Sequence, residues 1–278
     1  MAAITRFDHA VVGVTDLEAA AKTWSRLGFR ITPKGEHEGK GTANYCVMLP
    51  NAYVELIGIT DPALAGEKLV TRFSGNPGGV GLAYGSDVPD ATHAALRAAG
   101  LEAGDIQRLQ RPLDLDGKRE MVRFANVRIN DERLAPLTQF TCHHITPELT
   151  RARHEWMLHA NGATAMREIT VSVPDFAPVR ALWTAMFGKV DEADGSLRVR
   201  LGDVLLRAVS PATAKARFGH DVPQNTAHVA ALTFATNECD AAAAMWDMGG
   251  VTYREEKHRL IAAPKSACGV AVEFVDGH

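Results

Sequence analysis

Cysteine is scarce in this sequence: Cys46, Cys142, Cys239 and Cys268 lie far apart and form no C-x-x-C pair. Such spacing excludes a disulfide scaffold or a zinc ribbon and leaves reduced core thiols. Long apolar runs are missing as well. None approaches the roughly 20 residues that a membrane helix needs. The opening Met1-Ala-Ala-Ile-Thr-Arg6 lacks the apolar stretch of a secretory signal, so a cytoplasmic protein without a membrane partner is expected. There is no charge excess of either sign: 30 Lys and Arg stand against 33 Asp and Glu, a formal net charge of -3. With the basic residues scattered, nucleic acid is not an expected partner. No Gly-x-Ser-x-Gly elbow occurs, and the glycines of Gly75 to Gly81 precede a strand instead of joining one to a helix N-terminus. Neither a serine nucleophile nor a phosphate-cradling loop is indicated.

What is present is a chain that can build a large core, with 46% hydrophobic and 23% charged residues over 278 positions. That length suits two ordinary domains. One pattern recurs four times: a strand, an Asp- or Asn-bearing turn, an Ala-rich amphipathic helix, then glycine. The strands open at Asp8, Val80, Glu168 and His228. Asp16, Asp90 and Asp175 are placed to cap helices. Gly28, Gly100, Gly188 and Gly250 stand where a helix ends left-handed. Short alternating runs follow each helix and read as strands. They cover 29–32, 44–49 and 53–59 in the first unit, and 120–129 and 137–142 in the second. In the third they cover 197–201 and 204–208, and in the fourth 259–263 and 269–275. The repeated unit is therefore βαβββ. Hairpins argue against the competing parallel α/β sheet. Residues 61–77 read as a connector, and 146–165 as a linker with a short helix between two pairs of units.

Two polar groups interrupt apolar strands of the first unit, His9 in Asp8-His9-Ala-Val-Val and Glu55 in Tyr53-Val-Glu55-Leu-Ile. A buried carboxylate is costly unless it is paired or coordinated. An outward-facing Glu55 and a core His9 bonded to a backbone carbonyl are the bland alternatives, and alternation alone does not decide. His37 to Asn44 holds Gly39 and Gly41, which let backbone pass close to a ligand, together with the hydrogen-bonding groups of His37, Thr42 and Asn44. It reads equally as a solvated connection.

The fourfold βαβββ chain, with His in its opening strand and Glu in a closing one, resembles the vicinal-oxygen-chelate superfamily. Members include glyoxalase I, extradiol dioxygenases, methylmalonyl-CoA epimerase and fosfomycin-resistance proteins. Phe7-Asp8-His9, Leu27-Gly28-Phe29, His37 to Asn44 and Tyr53 to Ile57 resemble its glyoxalase-like domain family, and His144 to Leu149 and His159 to Ala163 resemble features of the longer members. The resemblance implies an α+β fold, four βαβββ units paired into two tandem glyoxalase-like half-barrel domains, at 1–145 and 166–278 with 146–165 as linker. It also implies a divalent metal (iron, manganese, nickel, cobalt or zinc) held by an open set of ligands.

On that resemblance His9 and Glu55 are metal ligands, and Glu55 doubles as a proton acceptor. The family's usual third position falls near Gly81 to Ala83, which offer no ligating side chain. His144 is the substitute, although His143-His144 could equally finish a strand at the surface. His37, Thr42 and Asn44 would contact substrate. The implied activity is that of a metal-dependent lyase or isomerase acting on a small molecule with vicinal oxygens. Two alternatives stay open: an extradiol-type dioxygenase with its site at His228 and Glu273, and a non-catalytic small-molecule binder or resistance protein. For the dioxygenase the third ligand position falls on Glu168 instead of His. A homodimer is not needed to complete a cup, and it is not excluded.

Overall fold

The computed structural model describes residues 4–75 and 77–277. The first sheet collects β1 (Arg6–Val14), β2 (Gly35–His37), β3 (Thr42–Met48), β4 (Tyr53–Ile59), β5 (Gly78–Gly85), β6 (Ala103–Leu115), β7 (Lys118–Ile129) and β8 (Thr138–His144). Helices α1 (Leu17–Arg26), α2 (Pro62–Ala65), α3 (Glu67–Gly75) and α4 (Pro89–Ala98) are interspersed. After α5 (Pro147–Thr150), the second sheet collects β9 (Ala163–Ser172), β10 (Asp191–Ala193), β11 (Ser196–Leu201), β12 (Val204–Val209), β13 (His228–Thr236), β14 (Tyr253–Glu256), β15 (Arg259–Ala262) and β16 (Ala271–Asp276). Its helices are α6 (Phe176–Phe187), α7 (Pro211–Phe218) and α8 (Cys239–Met248). None of the described helices is long and apolar enough to cross a membrane.

Strand order runs β2-β3-β4-β1-β5-β8-β7-β6 in the first sheet and β10-β11-β12-β9-β13-β16-β15-β14 in the second. Each half-sheet is one βαβββ unit. Its first and last strands pair parallel, and the two first strands of a pair meet antiparallel at the centre. The expected α+β architecture of two tandem half-barrels is the observed one.

Local physics accounts for the helices. Asp16 and Asp175 accept from Ala19 N at 2.9 Å and Ala177 N at 3.0 Å, as N-caps do. Gly28, Gly100, Gly188 and Gly250 all have positive φ. Asp90, however, is no cap: α4 starts one residue earlier at Pro89, a favoured first helical position, and Val88 stands at the N-cap. Residues 29–32 form no strand; the first unit's second strand is β2, a few residues on. Residues 61–77 hold α2 and α3 where a plain connector was expected.

One apolar core runs through both halves, from Trp24, Val54 and Leu82 to Trp183, Leu206 and Phe274. Trp246 donates to Leu27 O at 3.1 Å, and Asn51 exchanges two hydrogen bonds with the Met166 backbone. Only one face of each sheet joins this core. The concave faces differ. In the first half, edge strands β2 and β6 come together and enclose a cavity of about 680 Å³. In the second half α7 sits on β9 and β13, packing Ala214 and Phe218 against Ala230, Ala231 and Ala271.

Candidate functional site

Strand alternation selects the lining of the first cup. Tyr53, Glu55 and Ile57 of β4 face the cavity while Val54 and Leu56 enter the core. Thr42, Asn44 and Cys46 of β3 line the same wall. Glu55 is therefore inward and buried, which removes the outward-facing alternative.

β1 departs from alternation at one point. Phe7 faces Tyr84 and His9 faces Ala83, so Asp8 is an extra residue in the ladder. This bulge lets Phe7 enter the core while Asp8 and His9 share a side. His9 Nδ1 lies 2.7 Å from Asp8 Oδ2. An ionised carboxylate only accepts, so Nδ1 carries the proton and Nε2 presents its lone pair to the cavity. The ring is clamped by Tyr53, stacked at 4.3 Å between centroids, and by the edge contact of Phe140 at 5.4 Å.

His9 Nε2 stands 3.6 Å from Glu55 Oε2. Two metal bonds of about 2.1 Å at a tetrahedral angle separate their donor atoms by about 3.4 Å. The pair thus suits a shared ion, and no Lys or Arg pairs with Glu55 among the described residues. On the carboxylate's other side Asn44 Nδ2 donates to Oε1 at 2.6 Å, and His37 Nε2 is 3.7 Å from Oε1. His37 Nδ1 meets Thr42 Oγ1 at 2.8 Å. Burial lowers the His37 pKa, the charge of Glu55 opposes this and that of Arg111 reinforces it, so the neutral ring is favoured. His37–Thr42 and Asn44–Glu55 are two hydrogen-bonded pairs side by side on one wall.

His144 is placed differently. Its Nε2 lies 3.0 Å from Asp8 Oδ2 and its Nδ1 3.1 Å from Thr150 Oγ1. Both nitrogens are occupied away from the His9–Glu55 edge, and the ring does not line the cavity. His143 bonds Ser86 O at 2.9 Å. Burial pushes the Asp8 carboxyl up, but the hydrogen bonds from His144 and His9 lead the effects that outweigh it and hold the pKa well below the usual range. Sequence reasoning passed over Asp8 because a charged residue next to His9 would normally point to the opposite face. Asp8, His9 and Cys142 bring ligand-type atoms within 4.8 Å of one another, all buried. Burial, followed by Asp8 and Glu55, pushes the Cys142 thiol well above its usual pKa.

In the second cup arginines engage the carboxylates. Glu273, fully buried, accepts from Arg217 Nη2 at 2.8 Å, Thr233 Oγ1 at 2.6 Å and Arg259 Nε at 2.7 Å. Glu168 accepts from Arg207 Nε at 3.0 Å, Arg217 Nη1 and Thr170 Oγ1. Arginines, one of them carried by α7, occupy the coordination sphere a metal would need. His228 makes no bond to either carboxylate.

A family model described as "Glyoxalase-like domain" matches residues 7–187. No curated protein matches the sequence. Among solved structures, a hypothetical protein from Staphylococcus aureus aligns with a TM-score of 0.69 at 11% identity, over 98% of this chain and 99% of its own. A xylose isomerase-like TIM barrel/4-hydroxyphenylpyruvate dioxygenase fusion protein gives 0.62 at 12%, over 100% of this chain and 50% of the fusion. A triple mutant of 4-hydroxymandelate synthase from Streptomyces coelicolor gives 0.61 at 14%, over 99% and 93%. At such identities these neighbours bear on fold alone. The family match spans most of the chain, including all but the first residue of the first sheet, and with the paired βαβββ sheets it means that the chain belongs to the glyoxalase-like domain family.

Proposed function

We propose that the N-terminal cup, within residues 1–145, is the active site of a metal-dependent enzyme that acts on a small molecule with two neighbouring oxygens. The observation that carries this reading is the 3.6 Å convergence of His9 Nε2 and Glu55 Oε2 on a cavity of about 680 Å³. The two would hold a divalent ion, and open positions would remain for substrate. Such an ion supplies Lewis-acid stabilisation of a developing oxyanion. His144 drops out as a ligand in this reading. It instead steadies Asp8, which in turn orients His9, as carboxylates behind metal-bound histidines do.

The surrounding residues have separate tasks. Asn44 fixes one oxygen of Glu55 and leaves the other facing the ion and substrate. Neutral His37 is held by the Thr42 hydroxyl at Nδ1, with Nε2 on the Glu55 side. A proton taken from a substrate carbon or hydroxyl would go to Glu55, whose Oε2 would be shared between ion and proton or leave the ion to take it. Val11, Phe73 and Phe140 line an apolar wall of the cavity. The C-terminal half, 166–278, serves as scaffold. A dioxygenase centred on His228 and Glu273 finds no support in a carboxylate already held by Arg217 and Arg259.

Cobalt reports on this proposal directly. Metal-free protein titrated with Co²⁺ should develop visible absorption bands of a His/carboxylate site, and acetohydroxamate, a chelator with vicinal oxygens, should shift them. Bands that form but ignore acetohydroxamate would restrict the site to a closed structural ion. No bands at all would favour the non-catalytic binder.

A further inference from the structure

Arg111 of β6 is buried, 7% exposed, and lines the same cavity. Its Nη1 is shut away from solvent without a partner, and the side chain makes no hydrogen bond or ion pair with any described residue. An ionised guanidinium in this state is costly, and Arg does not escape by deprotonating. Elsewhere the same molecule pairs its half-buried arginines: Arg207 and Arg217 hold Glu168, and Arg217 and Arg259 hold Glu273. Arg72, on the opposite wall, spends its nitrogens on Thr138 Oγ1 and Val80 O. Arg111 alone among these is left without an acceptor.

Its surroundings preserve that state. Gly35 of β2 faces it, and a Cβ there would lie 2.6 Å from both Arg111 Nη1 and Asn44 Oδ1. Any side chain at position 35 would fill the space the guanidinium uses. Asn44 Oδ1 is likewise buried and unpartnered, because the Nδ2 of that amide must face the Glu55 carboxylate. The cavity rim adds Lys40, Arg108 and Arg128 against the carboxylates of Glu38 and Glu55. The fold thus keeps a fixed cation and its fork of N–H groups in a cavity of positive balance, next to the proposed proton-transfer group.

We infer that Arg111 is a substrate-binding residue, and that the ligand of the N-terminal cup is a small organic anion whose carboxylate or phosphoryl oxygens take the guanidinium fork. The planar guanidinium matches either oxyanion in two parallel hydrogen bonds. The apolar wall of Val11, Phe73 and Phe140 receives the rest of the molecule. This inference rests on the reading of the cup as a substrate cavity, but not on the presence of a metal.

The test is calorimetric titration of the full chain, stripped with a chelator, with benzoate, phenylphosphonate and benzamide. Benzamide matches benzoate in shape and lacks its charge. Benzoate or phenylphosphonate should bind at least about tenfold more tightly than benzamide, and Arg111→Met should lose at least about that factor while Arg111→Lys keeps part of it. The stronger of the two anions identifies the oxyanion. Because Arg111→Met removes an unpaired buried charge, its melting temperature should equal or exceed that of wild type, whereas loss of a structural arginine lowers it. Equal binding of benzoate and benzamide, unchanged benzoate affinity in Arg111→Met, or no binding of either anion in the millimolar range overturns the inference. Benzoate binding that appears only after metal is restored also overturns it, by placing the oxyanion on the ion.

Discussion

Asp8 and His9 are neighbours in sequence whose side chains meet on one side of a strand, Oδ2 to Nδ1 at 2.7 Å. A regular strand would hold them on opposite faces; the bulge in β1 brings them together. The contact fixes the His9 tautomer that leaves Nε2 free, and removing the charge should weaken whatever Nε2 binds. Asp8→Asn is expected to reduce metal affinity about 10- to 100-fold with the fold intact. Competition against a fluorescent chelator measures this, and unchanged affinity would show that Asp8 does not orient the ligand.

His144 touches the same carboxylate from the far side. As a positioning residue it should be dispensable for stoichiometry but not for strength. His144→Gln is expected to keep one ion per chain with weaker affinity, whereas a true ligand would lose the ion. Metal stoichiometry after gel filtration distinguishes the two results.

In the second half, Glu273 is the centre of a charge cluster with Arg217 and Arg259. Removing the carboxylate leaves two arginines facing each other with part of their charge desolvated. Glu273→Ala should cost about 3 kcal/mol in urea unfolding and leave metal affinity unchanged. A loss of metal without a loss of stability would reopen a C-terminal site.

His228 gives the acid limb of stability a definite sign. Burial, then the charge of His220, lowers its pKa from 6.5 to about 4. Between those values the unfolded chain binds a proton that the folded chain refuses, so stability rises with pH across this window. The contribution is complete above about pH 6.5 and gone below about pH 4, up to about 3 kcal/mol. The lowered pKa values of His159 and His220 act in the same direction. Urea unfolding at pH 7 and pH 4.5 should show a smaller difference in His228→Gln than in wild type; an equal difference would place the acid sensitivity elsewhere.

The repeat was legible because each unit carries its own punctuation, such as Asp16 before and Gly28 after an Ala-rich helix, and those residues act locally. Strand β6 was not, since Asp105-Ile-Gln-Arg-Leu-Gln-Arg111-Pro112 has few branched residues and contains a proline. Its place at the sheet edge tolerates that proline. Arg111 was missed with it. Helix α7 carried a readable signal, Ser210 then Pro211, and Ser210 Oγ does cap Thr213 N at 3.1 Å. The plugged second cup follows from that helix, so its omission left the rival site open. At the first site, His9, Glu55, His37, Thr42 and Asn44 do converge on one cavity. The roles of Asp8 and His144 depend on a one-residue bulge, which no periodicity can announce.

The metal centre proposed for the first cup depends on His9 and Glu55 sharing one ion. Metal content per chain, measured by mass spectrometry on protein reconstituted with manganese, cobalt, nickel, zinc or iron and then desalted, addresses that dependence. One equivalent is expected in wild type and in His228→Gln, and close to none in His9→Ala and Glu55→Gln. Full metal content in His9→Ala, or its loss in His228→Gln alone, would contradict a centre in the N-terminal cup.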